Sequence, residues 1–309
     1  MSSSHETDPY VQVAVVQAGS VLFDTPRTLD KLAGLAAQAK QAGAQVVLFP
    51  EAFVGGYPKG KLFGLSLGQR TPEGREEFRE YFEGAVAIPS PEFEFLATVA
   101  RENGIHLVTG IIERAGATLY CTVLFFGPGG ELLGKHRKLM PTALERVLWG
   151  CGDGSTLTVV ETLHGRLGAV ICWENYMPLL RMAMYAKGVE LYCAPTVDDR
   201  PTWIPTMRHI AIEGRCFVLS ACQFLPPDEK ESSPGIRGGS CIVSPFGELL
   251  AGPVYDAETI LTARLDRRER IRGTFDLDVV GHYARPDVFR LQVDETPKAS
   301  VAPFPPDQL

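Results

Sequence analysis

What the 309-residue sequence lacks narrows the field first. No apolar run approaches the roughly 18 uninterrupted residues of a membrane span, and even Leu167 to Trp173 is closed off by Arg166 and Glu174. Met1 to Pro9 carries Ser, His, Glu and Asp where a secretory leader carries a basic and then an apolar region, so it reads as a short disordered lead-in. Positive charge is also in short supply. The 30 Lys and Arg are outnumbered by 37 Asp and Glu, for a net charge of −7. That argues against nucleic acid or an anionic membrane as partner, since either needs clustered cations. The one basic run, Arg267 to Arg272, is interrupted by Glu269 and reads as a solvated face. No CxxC pair occurs, and His164, His209 and His282 have no Cys or His partner at zinc spacing, so no metal is expected. The Gly-rich segment around Cys151 lacks the GKT or GKS ending of a phosphate-binding loop. Seven cysteines without a pairing pattern suggest reduced thiols in the cytoplasm, with an odd one left to explain.

What is present is ordinary globular composition, 45% apolar at a mean hydropathy of +0.02. Val11 to Gln17 reads as a strand, Thr25-Pro26 as the start of a helix with Leu29, Leu32, Ala36 and Ala39 on one face, and Val46 to Phe49 as a second strand. Ser90-Pro91 opens another helix that Gly104 ends. Strands follow at Ile105 to Ile112, Leu119 to Phe126 and Glu131 to Lys135, the last two joined by a Gly-Pro-Gly-Gly hairpin. Further strands are expected at Leu167 to Trp173, Val189 to Ala194, Cys216 to Phe224, Gly239 to Ser244 and Ile260 to Leu265, with helices at Leu179 to Lys187 and Thr202 to Gly214. Helices alternating with strands, interrupted by hairpins, imply an α/β fold with mixed sheets. Without an internal repeat or low-complexity linker, a single domain over 10–290 is the simpler reading. The Pro-rich tail, 291–309, is expected to extend away from the core or across a neighbour.

Three segments place a reactive side chain at the end of an apolar run, where open α/β sheets build their sites. Glu51 follows Phe49-Pro50; taken alone it equally suits a helix cap or a solvated position. Lys138 lies in KHRKLMPT with Glu145 soon after, a segment that by composition alone reads as a solvated basic turn. Cys172 ends the run AVIC just before Trp173-Glu174-Asn175, whereas Cys121, Cys193, Cys216, Cys222 and Cys241 lie inside apolar runs and read as core. Together the three make sense as one unit. A thiol reacts as thiolate and needs a base and a cation beside it, which a Glu and a Lys supply.

The segments FPEAFVGGYP, HRKLMPTALER, WGCGDGST, GAVICWENYMP, MRHIAIEGRCFVLSACQ and GHYARPD, in this order, resemble the nitrilase branch of the carbon-nitrogen hydrolase superfamily. The resemblance spans about Val11 to Pro286. It implies a single αββα sandwich whose dimers form four-layered αββααββα assemblies, and a Glu-Lys-Cys triad that works without a cofactor. By position, Glu51 matches the general base, Lys138 the lysine, Cys172 the nucleophile, and Glu145 the second glutamate beside lysine and substrate. Tyr57, Trp149 and Trp173 match positions that line the substrate pocket; read without the resemblance, they are equally core aromatics. The implied reaction takes a nitrile and two waters to a carboxylic acid and ammonia through a thioimidate and a thioester. The implied partners are a small-molecule nitrile and further copies of the chain, as a homodimer or larger helical homo-oligomer. Three alternatives stand beside it. An amidase or carbamoyl-amide hydrolase shares triad and fold, though the CWEN pattern favours nitriles. A cyanide-degrading relative often has His where Asn175 stands. A catalytically dead binding or filament module is disfavoured because Glu51, Lys138 and Cys172 are all present.

Overall fold

The central strands are buried in nearly continuous runs, so that successive side chains enter two different apolar layers, and this dictates the architecture. The computed structural model describes residues 8–227 and 233–298. Along the chain its strands and α-helices are β1 (Tyr10–Gln17), α1 (Thr25–Gln41), β2 (Val46–Leu48), α2 (Pro72–Glu83), β3 (Val86–Ala87), α3 (Pro91–Asn103), β4 (His106–Ala115), β5 (Thr118–Phe126), β6 (Leu132–Arg137), β7 (Val159–Thr162), β8 (Gly165–Ala169), α4 (Pro178–Ala186), β9 (Leu191–Cys193), α5 (Trp203–Gly214), β10 (Phe217–Ser220), β11 (Phe224–Leu225), β12 (Ile236–Val243), β13 (Leu249–Tyr255), β14 (Thr259–Asp266) and α6 (Arg268–Asp276). One sheet runs β14-β1-β2-β4-β5-β6 with β3 also on β4; the other runs β11-β12-β10-β9-β8-β7 with β13 on β12. Both are mixed: β2 is parallel to β1 and β4, and β9 to β8 and β10, while the hairpin partners are antiparallel.

In β1, Val11, Val13 and Val15 face one way and Ala14 and Val16 the other. The first set packs against Leu167, Ala169, Leu191, Cys193, Phe217 and Leu219 of the second sheet, making a shared core between the sheets. The second set packs under Leu29, Leu32, Leu96 and Val99 of α1 and α3. On the far side, Tyr192, Val218 and Val243 pack under α4 and α5 through Met184, Met207 and Ile210. A period of two with both faces apolar therefore yields the αββα sandwich. Each fully buried Val or Leu contributes roughly 1.5–3 kcal/mol, so the shared core is the main cohesion between the sheets. Polar side chains add register. Gln17 of β1 accepts from Gly239 N and Ser240 N of β12, both at 2.9 Å, fixing the two sheets at one end.

Several expectations are corrected. Asp24, not Thr25, caps α1, its carboxylate accepting from Arg27 N. The strand expected to reach Trp173 ends at Ala169; ladder-like bonds continue to Cys172, whose N–H donates to Pro195 O, but the chain then turns into a 3₁₀ helix over Cys172–Tyr176. The sequence reading lacks α2, which buries only Gly74 and Tyr81, and the short strands β3, β7, β11 and β13. The run 267–272 belongs largely to α6, a helix of which only Gly273 is buried. Residues 1–7 of the expected lead-in and 299–309 of the tail lie outside the described residues. The described part of the tail folds back on its own chain instead of extending: Glu295 pairs with Lys187 at 2.8 Å, and Lys298 N donates to Asp153.

One glycine sets the position of a candidate residue. A Cβ on Gly110 of β4 would stand 2.3 Å from Pro50 O and 2.8 Å from the Cα of Glu51, so the turn after β2 lies against bare backbone. Gly110→Ala should lower stability by about 1–3 kcal/mol through overpacking and displace Glu51. Chemical denaturation and activity should fall together; an unchanged unfolding midpoint would refute the close approach.

Candidate active site

The KHRK segment resolves by the strand period. Alternate residues share a face: Lys135 and Arg137 both bind Glu113, each at 2.6 Å, while His136 and Lys138 point inward with 0% exposure. Lys138 is therefore no solvated lysine. Its Nζ lies 2.6 Å from Glu51 Oε1 and 2.8 Å from Glu145 Oε2. Glu51 sits in the turn after β2 with 0% exposure, and Gln223, reaching across from the other sheet, donates to Glu51 O at 2.8 Å. Glu145 is held from both sides: Thr142 N donates to Oε2 at 2.6 Å, and the Tyr57 hydroxyl donates to Oε1 at 2.8 Å.

Cys172 opens its 3₁₀ turn with φ 51°, a left-handed conformation that L side chains seldom adopt. Ala52, next to Glu51, and Ala143, two residues before Glu145, have φ 49° and 47°. Three of the seven non-glycine residues at positive φ among the described residues thus stand at this one place, and strained backbone of this kind recurs at functional sites. The Asn175 side-chain amide holds the turn, donating to Val170 O at 2.9 Å and Cys172 O at 2.8 Å.

Burial raises the Cys172 thiol well above its ordinary value, and the Glu51 charge adds to this; Lys138 is the chief opposing influence. Burial also raises Glu51 against the pull of Lys138. For Lys138, burial alone would lower the ammonium, but Glu51 and the surrounding acidic groups hold it well above the ordinary lysine range. The resting site is then a neutral thiol beside a carboxylate and an ammonium. This arrangement makes a thiolate only when the base takes the proton.

A cleft of about 420 Å³ opens onto Cys172 and Glu145, with Tyr57, Leu148, Trp149 and Val197 on its walls. Tyr57 and Trp149 meet edge to face at 5.7 Å, and the Trp149 ring lies 5.8 Å from Lys138 Nζ. Trp173, 43% exposed, stands at the mouth, where its Nε1 donates to Asp198 and Arg200 covers its ring. All seven residues expected from sequence therefore meet at one place. Four further groups there had no assigned part. Cys121, read as core, is buried but aims its thiol at Glu51 Oε1, 3.6 Å away. Thr196 Oγ lies 3.2 Å from Cys172 Sγ. Glu174 and His136, inside the quoted motifs, form a buried pair: Nε2 lies 3.0 Å from Glu174 Oε2, and Nδ1 lies 2.9 Å from Thr156 O. With oxygen atoms facing both nitrogens, the surroundings favour the imidazolium, which donates from both. Glu174 also accepts from Leu139 N at 2.6 Å and Ile171 N at 2.9 Å. One carboxylate thus fastens the residue after Lys138 to the residue before Cys172. The 135–138 alternation was the available signal for His136.

The carbon-nitrogen hydrolase family model matches residues 12–272. The chain belongs to that family, whose members are hydrolases acting on carbon–nitrogen bonds. Its place there is the nitrilase branch. It is 58% identical to an aliphatic nitrilase of Sinorhizobium fredii (strain HH103) over 94% of this chain and 97% of that one. It is 55% identical to a bifunctional nitrilase/nitrile hydratase of Lupinus angustifolius, over 96% and 89%. Among solved structures, the NitFhit protein of C. elegans matches with a TM-score of 0.77 at 21% identity, over 94% of this chain and 69% of that one. An amidase from Nesterenkonia sp. matches at 0.68 and 22%, over 84% and 92%. At these identities the two structures speak for the fold alone.

The His136–Glu174 pair makes a prediction with a definite sign. Burial opposes the His136 charge, but Glu174 overcomes it and raises the imidazole. Its contribution to stability is present below the unfolded value near ~6.5 and lost as pH rises through the raised folded one. Glu174→Gln should cost about 3–5 kcal/mol and invert this dependence, because burial alone then disfavours the charged ring. Denaturant midpoints from about pH 5 to about pH 9 measure both; parallel profiles for the two proteins would reject the pairing.

Proposed function

We propose that the protein hydrolyses an organic nitrile to its carboxylic acid and ammonia, with Cys172 as nucleophile, Glu51 as proton acceptor and donor, and Lys138 and Glu145 completing the site. The observation that carries this reading is the meeting of a buried thiol, carboxylate and ammonium at the floor of one cleft, in a chain 58% identical to an aliphatic nitrilase. Glu51 Oε1 is occupied by Lys138 and Cys121, while Oε2 is buried with no hydrogen-bond partner among the described residues. Oε2 is accordingly the oxygen available for the Cys172 proton.

The steps follow from these positions. The Sγ–H proton passes to Glu51 as sulfur bonds the nitrile carbon, and Glu51 delivers that same proton to the nitrile nitrogen, beside Lys138, giving the thioimidate and restoring the carboxylate. Water adds to that carbon and gives a proton to Glu51. Glu51 passes this proton to nitrogen and then carries the hydroxyl proton of the tetrahedral adduct there as well, so that the carbon–nitrogen bond breaks, ammonia leaves and a thioester remains, which a second water converts to the acid and the free thiol. If the carbon–sulfur bond of the first tetrahedral adduct breaks instead, the amide leaves. The Lupinus relative is named for both outcomes, so the amide is worth measuring.

The apolar walls formed by Tyr57, Leu148, Trp149 and Val197 favour an apolar or aromatic substituent. Assembly as a homodimer or larger homo-oligomer is supported by apolar side chains left exposed on the outer helices, Leu179 at 67% and Ile212 at 38%. A cytoplasmic location is supported by seven unpaired cysteines, and a hydrolase domain over 10–290 by the family match and the start of β1 at Tyr10.

Cys172→Ala should keep the wild-type unfolding midpoint, since one buried sulfur is lost, and should show no nitrile turnover. Ammonia release from a nitrile panel and from the matching amides, with product amide and acid quantified, tests the reading directly. Turnover surviving in Cys172→Ala would dismiss the nucleophile, and faster turnover of amides than of nitriles by the wild type would make the enzyme an amidase.

A further inference from the structure

Thr196 lies three residues beyond the Cys193 end of β9 and is fully buried. Its backbone is fixed by the neighbouring chain: its N–H donates to Ala221 O at 2.8 Å, and its carbonyl accepts from Gln223 N at 3.3 Å. Gln223 is the residue whose amide holds the Glu51 carbonyl, so Thr196 and the base share a support. The preceding residue, Pro195, accepts from Cys172 N at 2.9 Å. Cys172 is therefore held at its backbone by one residue and met at its sulfur by the next.

The surroundings favour the Thr196 hydroxyl as the donor in its contact with Cys172, since one of its two lone pairs is already taken. Asp198 N lies 2.9 Å from Thr196 Oγ, and an amide N–H can only donate, so it uses an oxygen lone pair. The hydroxyl hydrogen is left with Cys172 Sγ, 3.2 Å away, as its acceptor among the described residues. The β-branched side chain has little rotational freedom with which to escape this arrangement. The loop beyond is anchored too: the Asp198 carboxylate accepts from Trp173 Nε1 at 2.9 Å and Arg200 Nε at 2.8 Å.

We propose that Thr196 is a catalytic residue, its hydroxyl donating a hydrogen bond that stabilises the Cys172 thiolate when sulfur attacks and again when it departs. This rests on the reading of Cys172 as nucleophile. The need for such a donor follows from the site. Once the thiol proton has moved to Glu51, sulfur bears negative charge in a fully buried place, and hydrogen bonds to a charged acceptor are the strong ones. The Lys138 ammonium is divided between Glu51 and Glu145. The Thr196 hydroxyl hydrogen has no such competing acceptor among the described residues. Thr196 transfers no proton in either step; the proton travels between Sγ and Glu51, and Thr196 stays a hydroxyl throughout.

Thr196→Val keeps the shape and deletes the donor, while Thr196→Ser restores it. In Val, kcat for a nitrile should fall about 10- to 100-fold with KM nearly unchanged. The pH profile for iodoacetamide labelling of Cys172, read by peptide mass spectrometry, should move to higher pH by about 1 unit or more. Ser should recover most of the rate and return the profile. If Val fails to fold, Thr196→Ala supplies the same comparison with Ser. Val or Ala with kcat within about twofold of wild type, or as slow as Ser, would overturn the proposal. The Cys172→Ala control separates the two readings. If it is inactive and wild-type Cys172 forms the covalent adduct while Thr196→Val is unimpaired, Thr196 alone is dismissed. If Cys172→Ala still turns over, the nucleophile assignment itself falls.

Discussion

The constraint on which the rest of the structure depends is the burial of Lys138 between Glu51 and Glu145. Removing an ammonium and a carboxylate from water costs several kcal/mol per ion, and their attraction offsets this only where geometry is tight and the remaining lone pairs are occupied. The distances of 2.6 and 2.8 Å meet the first condition. The second is met only in part, because Glu51 Oε2 has no hydrogen-bond partner among the described residues. A fold selected for stability alone would fill this place with apolar side chains. The pair persists here at the expense of stability, and the unsatisfied oxygen is the one left free to accept a proton.

Holding such a pair requires supports from both sheets. Glu51 comes from the first sheet, yet Gln223 at the end of the second fixes its backbone. Lys138 follows β6, and Cys172 follows β8, and the Glu174 carboxylate joins the two through Leu139 N and Ile171 N while His136 balances its charge. The apolar core between the sheets supplies cohesion but little direction, since hydrophobic burial has no preferred angle. Hydrogen bonds at the strand ends supply the direction. Positive φ at Ala52, Ala143 and Cys172 records what that positioning demands of the backbone.

Legibility in the sequence followed the same division. Elements whose burial has a simple period were readable: Leu29, Leu32, Ala36 and Ala39 mark α1, and Val13 and Val15 mark β1. Elements with little buried surface were not, as α2 and β13 illustrate: α2 buries two residues, and no residue of β13 is fully buried. At the site, Glu51, Lys138 and Cys172 could be proposed because each ends an apolar run and because their motifs occur in order. Thr196 and Cys121 could not. A threonine after a strand and a cysteine within one are ordinary in composition, and what distinguishes them is a neighbour 24 or 70 residues away in the chain. His136 lay between these cases: its position two residues before Lys138 put it on the same face, but its partner Glu174 is 38 residues distant.

The thiols show why composition and acidity are weak guides to reactivity here. Burial raises Cys193, Cys216 and Cys241 to about 12, and Cys121, Cys172 and Cys222 likewise stand well above the ordinary thiol value. A lowered pKa is therefore not what singles out Cys172, whose thiol burial raises as it does the others. What separates it is its surroundings: a carboxylate to accept its proton, an ammonium beside that carboxylate, a hydroxyl aimed at its sulfur, and a cleft that reaches it. A buried thiol of raised pKa is protected from adventitious oxidation and alkylation, which need the thiolate. It becomes a nucleophile only in concert with the base. In this arrangement, low resting reactivity and high reactivity toward a seated substrate have the same cause, because the water excluded from the sulfur both suppresses the free thiolate and strengthens each hydrogen bond that the thiolate accepts.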